Sequence, residues 1–293
     1  MIEWPDFLVE SIARRRSVLF LGSGVSANSL SRDKRNPPTW ESFLCKIIQI
    51  KQNKLYDIMD LLSGLLTHQD YLTACEIIIN NIGNKEFNEL VSDEFRRPGY
   101  KPSEIHKEIY ALDSRLIITP NVDKIYEQYA LAESDSTVVV KSYNDDSIAS
   151  FLRSNDYLII KAHGTVDDSD NMIFTQKQYA NARNRYSCFY KLLDALILTH
   201  TFIFLGCGVN DPDIKLLFEN ANFNFYSSRP HYFVTAKDSL HSEVKRIIGS
   251  NRNLKFLVYE NQSGKHEELL YNLRELNKLV EIQRKIISDN QTW

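Results

Sequence analysis

Short apolar runs alternate with longer stretches of helical periodicity along most of the chain. The first run, 17–21, ends in a Gly-Ser-Gly sequence, which is typical of a buried parallel strand that enters a tight turn. Six further runs predict strands at 116–119, 137–141, 157–161, 201–205, 231–235 and 254–259. Because strands that alternate with helices form parallel sheets, the pattern predicts a Rossmann-like, doubly wound parallel α/β fold.

Two stretches carry helical periodicity without strands. From residue 40 to about 112, apolar positions recur at helical spacing, which predicts an all-helical module inserted into the Rossmann-like core. The stretch 265–288 shows the same spacing and predicts a long amphipathic helix. We therefore expect residues 1–293 to form one domain.

Composition and charge narrow the class of protein. The chain has 43% hydrophobic and 25% charged residues, close to a globular average, and a net charge of −3 from 35 basic and 38 acidic residues. Without a general positive field, direct binding to nucleic acid or an anionic membrane is not expected. No run approaches the length of a membrane-spanning helix, no secretory signal pattern is present, and the four cysteines form no CxxC pair for zinc. We expect a cytoplasmic protein without a metal site.

Two strand ends carry residues suited to holding a ligand. Gly22 and Gly24 follow the first strand and would let backbone N–H groups approach a diphosphate, although a tight turn without a ligand explains them too. Asn121 and Asp123 follow the strand at 116–119, where an amide and a carboxylate can face a ligand. Alternatively, either residue can cap the next helix.

Two further strand ends add an imidazole and more glycine. His163 follows the strand at 157–161, and imidazole is the usual acid or base at neutral pH. Gly206, Gly208, Asn210 and Asp211 follow the strand at 201–205, where ordinary helix-start chemistry also accounts for the Asp-Pro pair. Because parallel strands end at one edge of a sheet, these four segments predict a single cleft.

The segments LFLGSGVSA, TPNVD and KAHG, in this order, resemble the motifs of the sirtuin family. The segment LGCGVNDPDI is similar to an element of the bacterial sirtuin-like branch, and the predicted helical module lies where sirtuins carry theirs. The four-cysteine zinc module of protein-deacylating sirtuins is missing. The resemblance is therefore to the zinc-less branch, whose members are known chiefly as NAD-hydrolysing effectors of bacterial anti-phage defence.

The resemblance implies a role for each candidate residue, with NAD+ as the substrate. Asn121 and Asp123 would face the nicotinamide ribose and the carboxamide, and His163 would act as the base. The diphosphate and the adjoining ribose would lie on four residues of the first strand end, Gly22, Ser23, Gly24 and Ser26. The adenosine side would be lined by four residues of the last one, Gly206, Gly208, Asn210 and Asp211.

The resemblance implies an NAD+ glycohydrolase that releases nicotinamide and ADP-ribose. An NAD-dependent protein deacylase or ADP-ribosyltransferase is an alternative that the missing CxxC pairs disfavour. A non-catalytic module that senses NAD or ADP-ribose is another, which the presence of both Asn121 and His163 disfavours. Because uncontrolled NAD loss is toxic, we expect a homo-oligomer or a regulatory partner, and family behaviour suggests a HerA-like ATPase.

Overall fold

The computed structural model describes residues 1–209, 211, 214–215, 217–218, 229–264 and 266–291. These residues contain seven strands: β1 (Ser17–Leu21), β2 (Leu116–Thr119), β3 (Val139–Ser142), β4 (Leu158–Lys161), β5 (Thr201–Leu205), β6 (His231–Ala236) and β7 (Leu254–Tyr259). All neighbours pair in parallel, in the order β3-β4-β2-β1-β5-β6-β7. The predicted Rossmann-like parallel sheet is confirmed.

Among the predicted strand boundaries, the start of β3 is displaced most. The apolar run at 137–141 predicts a strand that begins at Thr137, but β3 begins at Val139. The N–H and the hydroxyl of Thr137 both donate to the carbonyl of Ser134, so this residue still belongs to the turn before the strand. Strand pairing starts where the N–H of Val139 donates to the carbonyl of Tyr157.

Helices cover both faces of the sheet. They are α1 (Asp6–Ala13), α2 (Ser23–Ser26), α9 (Ile125–Glu133), α10 (Ile148–Leu152), α11 (Gln176–Arg185), α12 (Ser187–Thr199), α13 (Ser242–Arg252) and α14 (Glu267–Asp289). The last of these is the predicted long amphipathic helix, with Leu273, Leu276 and Val280 on its buried face. No helix in the described part of the chain has the length and apolar character needed to cross a membrane.

The stretch between β1 and β2 is dominated by six α-helices: α3 (Trp40–Ile50), α4 (Gln52–Leu55), α5 (Met59–Thr67), α6 (Tyr71–Ile82), α7 (Asn84–Phe95) and α8 (Glu104–Ala111). The apolar side chains of α3 to α7 form a core of their own around Phe43 and Phe87, whereas Ile105 and Ile109 of α8 are buried in the core of one face of the sheet. Val122, Val166 and Phe174, which follow strands β2 and β4, are buried in this same core. Helices α3 to α7 therefore pack against the edge of the sheet at which β2 and β4 end. The last helix of the predicted module, α8, packs against α9 and α14 instead.

Two buried histidines predict a loss of stability in acid. His106 accepts a hydrogen bond from the N–H of Ser103, His231 accepts one from the N–H of Phe202, and burial lowers the pKa of each to about 4 from 6.5. Between these values the unfolded chain binds more protons than the folded chain, so the free energy of unfolding falls as the pH drops from 6.5 towards 4. At pH 5 each histidine is expected to cost about 2 kcal/mol relative to pH 8.

Urea unfolding at pH 8 and pH 5 measures this loss. His106→Gln keeps a capping-box acceptor for the N–H of Ser103 but cannot titrate, so it is expected to remove about 2 kcal/mol of the acid-induced loss. The same substitution at the exposed His68 serves as the control and is expected to leave the pH dependence unchanged. A His106→Gln profile that follows the wild type would contradict the prediction.

Candidate functional site

The sheet order brings the ends of four strands side by side at one edge. Strands β4, β2, β1 and β5 are consecutive in the sheet, and hydrogen bonds join each strand end to the next. The hydroxyl of Thr119 donates to the carbonyl of Leu21 at 2.7 Å and joins β2 to β1. The N–H of Gly22 donates to the carbonyl of Leu205 at 2.9 Å and joins β1 to β5.

Strands β2 and β4 place Asn121 and His163 at equivalent positions. Thr119 and Lys161 are paired in the sheet register, and each candidate residue lies two positions beyond its member of this pair. Two backbone hydrogen bonds flank them, from the N–H of Ala162 to the carbonyl of Thr119 at 2.8 Å and from Val166 to Val122 at 2.9 Å. The two segments therefore continue side by side past the end of the sheet.

The glycines after β1 and β5 are packed against one another. A Cβ on Gly22 would collide with the carbonyl oxygen of Gly206, and one on Gly24 would lie 2.9 Å from the same atom. Gly206 has φ +66°, and a Cβ there would lie 2.5 Å from the nitrogen of Val25. The packing of two turns, which the sequence left as an alternative to ligand binding, therefore accounts for these glycines by itself.

The same packing uses part of the backbone that a diphosphate would need. The N–H groups of Gly22 and Gly24 donate to the carbonyls of Leu205 and Gly206, and that of Val25 donates to Gly22. Ser23 is partly exposed and begins α2, a helix of only four residues.

The remaining residues after β5 differ in their surroundings. A Cβ on Gly208 would meet open space, so this backbone is accessible to a ligand. The N–H of Asp211 donates to the carbonyl of Gly208 and its own carbonyl accepts from the N–H of Lys215, both at 3.0 Å, which is helix-start geometry. Asn210 lies outside the described residues. Burial raises the pKa of the Cys207 thiol far above neutrality, which makes it a poor nucleophile.

A directed chain of hydrogen bonds runs through the centre of the site. The side-chain nitrogen of Asn121 donates to the carbonyl of Gly22 at 3.0 Å and to the hydroxyl of Ser26 at 3.3 Å. Ser26 donates in turn to Oδ2 of Asp123 at 2.9 Å, and both of these side chains are buried. Oδ1 of Asp123 accepts from the N–H of Ile125 at 3.0 Å. Asp123 therefore accepts a hydrogen bond from the first residue of α9 and also belongs to the polar network that contains Asn121.

His163 contacts a residue of α11, which lies on the face of the sheet opposite to α9. It is buried, its Nε2 lies 3.4 Å from the hydroxyl of Tyr179, and the two rings meet edge to face with centroids 5.3 Å apart. Tyr179 lies on α11, whose first turn is closed by a capping box between Thr175 and Gln178. The imidazole is therefore oriented by a regular helix.

Lys161 and Glu127 have no role in the sequence-based prediction, yet both are buried beside the network. A lysine at the end of an otherwise apolar strand was the available signal, because a buried ammonium requires a partner. That partner lies 34 positions earlier in the chain, and no local pattern identifies it.

In the described part of the chain, no group of three or more His, Cys, Asp or Glu side chains is arranged to hold a metal ion.

A doubly wound parallel sheet with a glycine turn and polar side chains at its carboxyl edge is the architecture of the nucleotide-binding α/β class. Residues 115–257 match the family model of the SIR2-like domain. This part of the chain is therefore similar to a SIR2-like domain, and the predicted resemblance to the sirtuins is confirmed.

Several named proteins are similar to this chain at low sequence identity. Defense-associated sirtuin 2 of Bacillus subtilis is 26% identical over 221 residues, which cover 74% of this chain and 20% of the relative. The protein named NAD(+) hydrolase ThsA of Acinetobacter baumannii is 22% identical over 234 residues, covering 79% and 45%. Its namesake in Enterococcus faecium is 26% identical over 172 residues, covering 57% and 35%. The chain thus spans less than half the length of these relatives.

Proposed function

We propose that this chain hydrolyses NAD+ to nicotinamide and ADP-ribose, as an effector that depletes NAD in anti-phage defence. The observation that carries the proposal is the hydrogen-bond network that joins the partly buried Asn121 to the buried Ser26 and Asp123. Backbone hydrogen bonds join the strand end that carries Asn121 to the one that carries His163. The names of the relatives, an NAD(+) hydrolase and a defence-associated sirtuin, support both the reaction and the role.

Asn121 would hold a water molecule or the ribose hydroxyls. Cleavage of the nicotinamide–ribose bond develops positive charge on the ribose, so a site accelerates it by fixing the ribose and by placing an oxygen nucleophile at the anomeric carbon. Both hydrogens of the Asn121 amide are directed to Gly22 and Ser26. The side-chain oxygen is therefore the atom that this residue offers to substrate or water, and Asp123 fixes its orientation through Ser26.

His163 would accept the proton. As the water oxygen bonds to the anomeric carbon, the bonding pair leaves with nicotinamide, and the imidazole takes the proton that the water loses. The Tyr179 hydroxyl at 3.4 Å would keep the ring in the orientation that this transfer needs.

The rest of the dinucleotide would follow the sheet edge towards β5. Because the N–H groups of Gly22 and Gly24 are engaged with β5, the diphosphate would rely on the remaining polar groups of this turn, including those of Ser23. The adenosine side would lie against Gly206, Gly208 and Asp211, together with Asn210. The homo-oligomer and the HerA-like ATPase partner stay predictions.

Product analysis of the purified chain tests the proposal. We expect NAD+ to be converted into equal amounts of nicotinamide and ADP-ribose, measured by chromatography over a range of protein concentrations and without an acylated peptide. A rate per chain that rises steeply above a threshold concentration would indicate activation by assembly. Nicotinamide release that requires an acyl-lysine peptide would replace the proposal by a deacylase, and NAD+ binding without turnover would replace it by a sensing module.

A further inference from the structure

Lys161, the last residue of β4, is almost completely buried. Its exposed fraction is 2%, and the three strand residues before it are Leu158, Ile159 and Ile160. A buried ammonium is costly unless charged and polar partners compensate it, so the partners of this lysine indicate why it is there.

Both partners belong to the segment that begins α9. The ammonium donates to the main-chain carbonyl of Asp123 and lies 3.4 Å from Oε2 of Glu127, which is 5% exposed. Glu127 follows Asp123 by four positions and lies in the first turn of the helix. The side chain of Lys161 on β4 therefore makes two contacts with the start of α9.

These two contacts of Lys161 connect the two halves of the proposed site. On one side, the carbonyl that Lys161 holds belongs to Asp123, whose carboxylate receives Ser26 and whose segment carries Asn121. On the other side, Lys161 itself lies two residues before His163. A small cavity lies beside the pair, and its lining includes Lys161, Glu127 and the residues of the polar network together with their apolar neighbours.

We propose that Lys161 is a positioning residue that sets the placement of Asn121 relative to His163, with Glu127 as the counter-charge that allows it to be buried. The kinetic part of this inference rests on the proposed NAD+ hydrolysis. A buried ion pair with only a structural role can be replaced by well-packed apolar residues without loss, whereas a positioning bond to the Asp123 carbonyl cannot.

Three variants separate these roles. Lys161→Met removes the ammonium and leaves the buried Glu127 carboxylate with only the more distant Lys124, 4.0 Å from Oε1, so loss of stability is expected together with loss of activity. Lys161→Met/Glu127→Met removes both charges and is expected to regain stability. Lys141→Met is the matched control, since Lys141 lies on the neighbouring strand β3, is partly buried and pairs with Asp145 at 2.9 Å.

The double variant carries the test even if the single variant fails to fold. We expect its kcat to be about 100-fold below that of the wild type, with little change in the KM for NAD+, because misplacement by about 1 Å costs this much. The control is expected to keep the wild-type kcat. A stable double variant with wild-type kcat would overturn the proposal and leave the pair a structural role only.

Hydrogen exchange keeps the inference separate from the proposed function. In the double variant we expect the amide hydrogens in the segment 120–127 to exchange faster than in the wild type. The exchange rates of the strands are expected to stay unchanged. If the wild type turns over no NAD+ but this local difference is present, positioning stands and the hydrolase proposal fails. Unchanged exchange at 120–127 overturns the positioning role whatever the activity.

Discussion

Replacing His163 with alanine is expected to lower the kcat for NAD+ hydrolysis by about 10²–10⁴-fold, the range that a positioned general base contributes. The variant removes the only group at this edge to which we assign the proton from water. Its edge-to-face contact with Tyr179 is lost as well, but the strand pairing between β2 and β4 is made by backbone groups and remains. Nicotinamide release measured beside a thermal unfolding curve separates lost chemistry from lost fold.

Three companion variants sharpen this result. Asn121→Ala is expected to abolish turnover, since it removes the amide that Gly22 and Ser26 hold in place. Tyr179→Phe keeps the ring and removes only the hydroxyl near Nε2, so a smaller loss of about tenfold is expected, as for one hydrogen bond. His200→Ala, at the junction before β5, is the control and should keep full activity. Full activity of His163→Ala would end its assignment as the base.

Replacing Gly206 with alanine is expected to lower the free energy of unfolding by about 2–5 kcal/mol. Two costs add at this position. The left-handed backbone, with φ +66°, disfavours any L residue, and the new Cβ would lie 2.5 Å from the nitrogen of Val25. The nearest atoms that the new Cβ would meet belong to the backbone of Gly24 and Val25. This backbone cannot move aside at low cost, because hydrogen bonds tie it to the ends of β1 and β5. Urea unfolding of the variant measures the loss.

Gly208→Ala is the matched control for this loss, since it adds the same atom two residues away in open space. We expect its free energy of unfolding to stay within about 0.5 kcal/mol of the wild type. If the two variants unfolded alike, the packing of the two glycine turns would not contribute to stability as the geometry indicates.

The candidate residues could be selected from sequence because strand ends are local features. An apolar run followed by a Gly, an Asn-x-Asp or a His-Gly pair is visible in a few consecutive residues, and parallel strands all end at one edge. That reasoning identified Asn121, Asp123 and His163 as candidate site residues. It did not reach Tyr179, which orients the histidine from α11 and carries no local mark of that role.

The sequence by itself determined the parallel α/β class, the seven strands, the helical stretch after β1 and the strand ends that carry polar residues, because each depends on periodicity within a short window. Only the tertiary structure decided the sheet order, the packing of Gly22 against Gly206, and the hydrogen bond from Ser26 to Asp123. It also decided the pairing of Lys161 with Glu127. These features join residues tens to nearly two hundred positions apart, and contacts of that kind exist only once the strands have assembled.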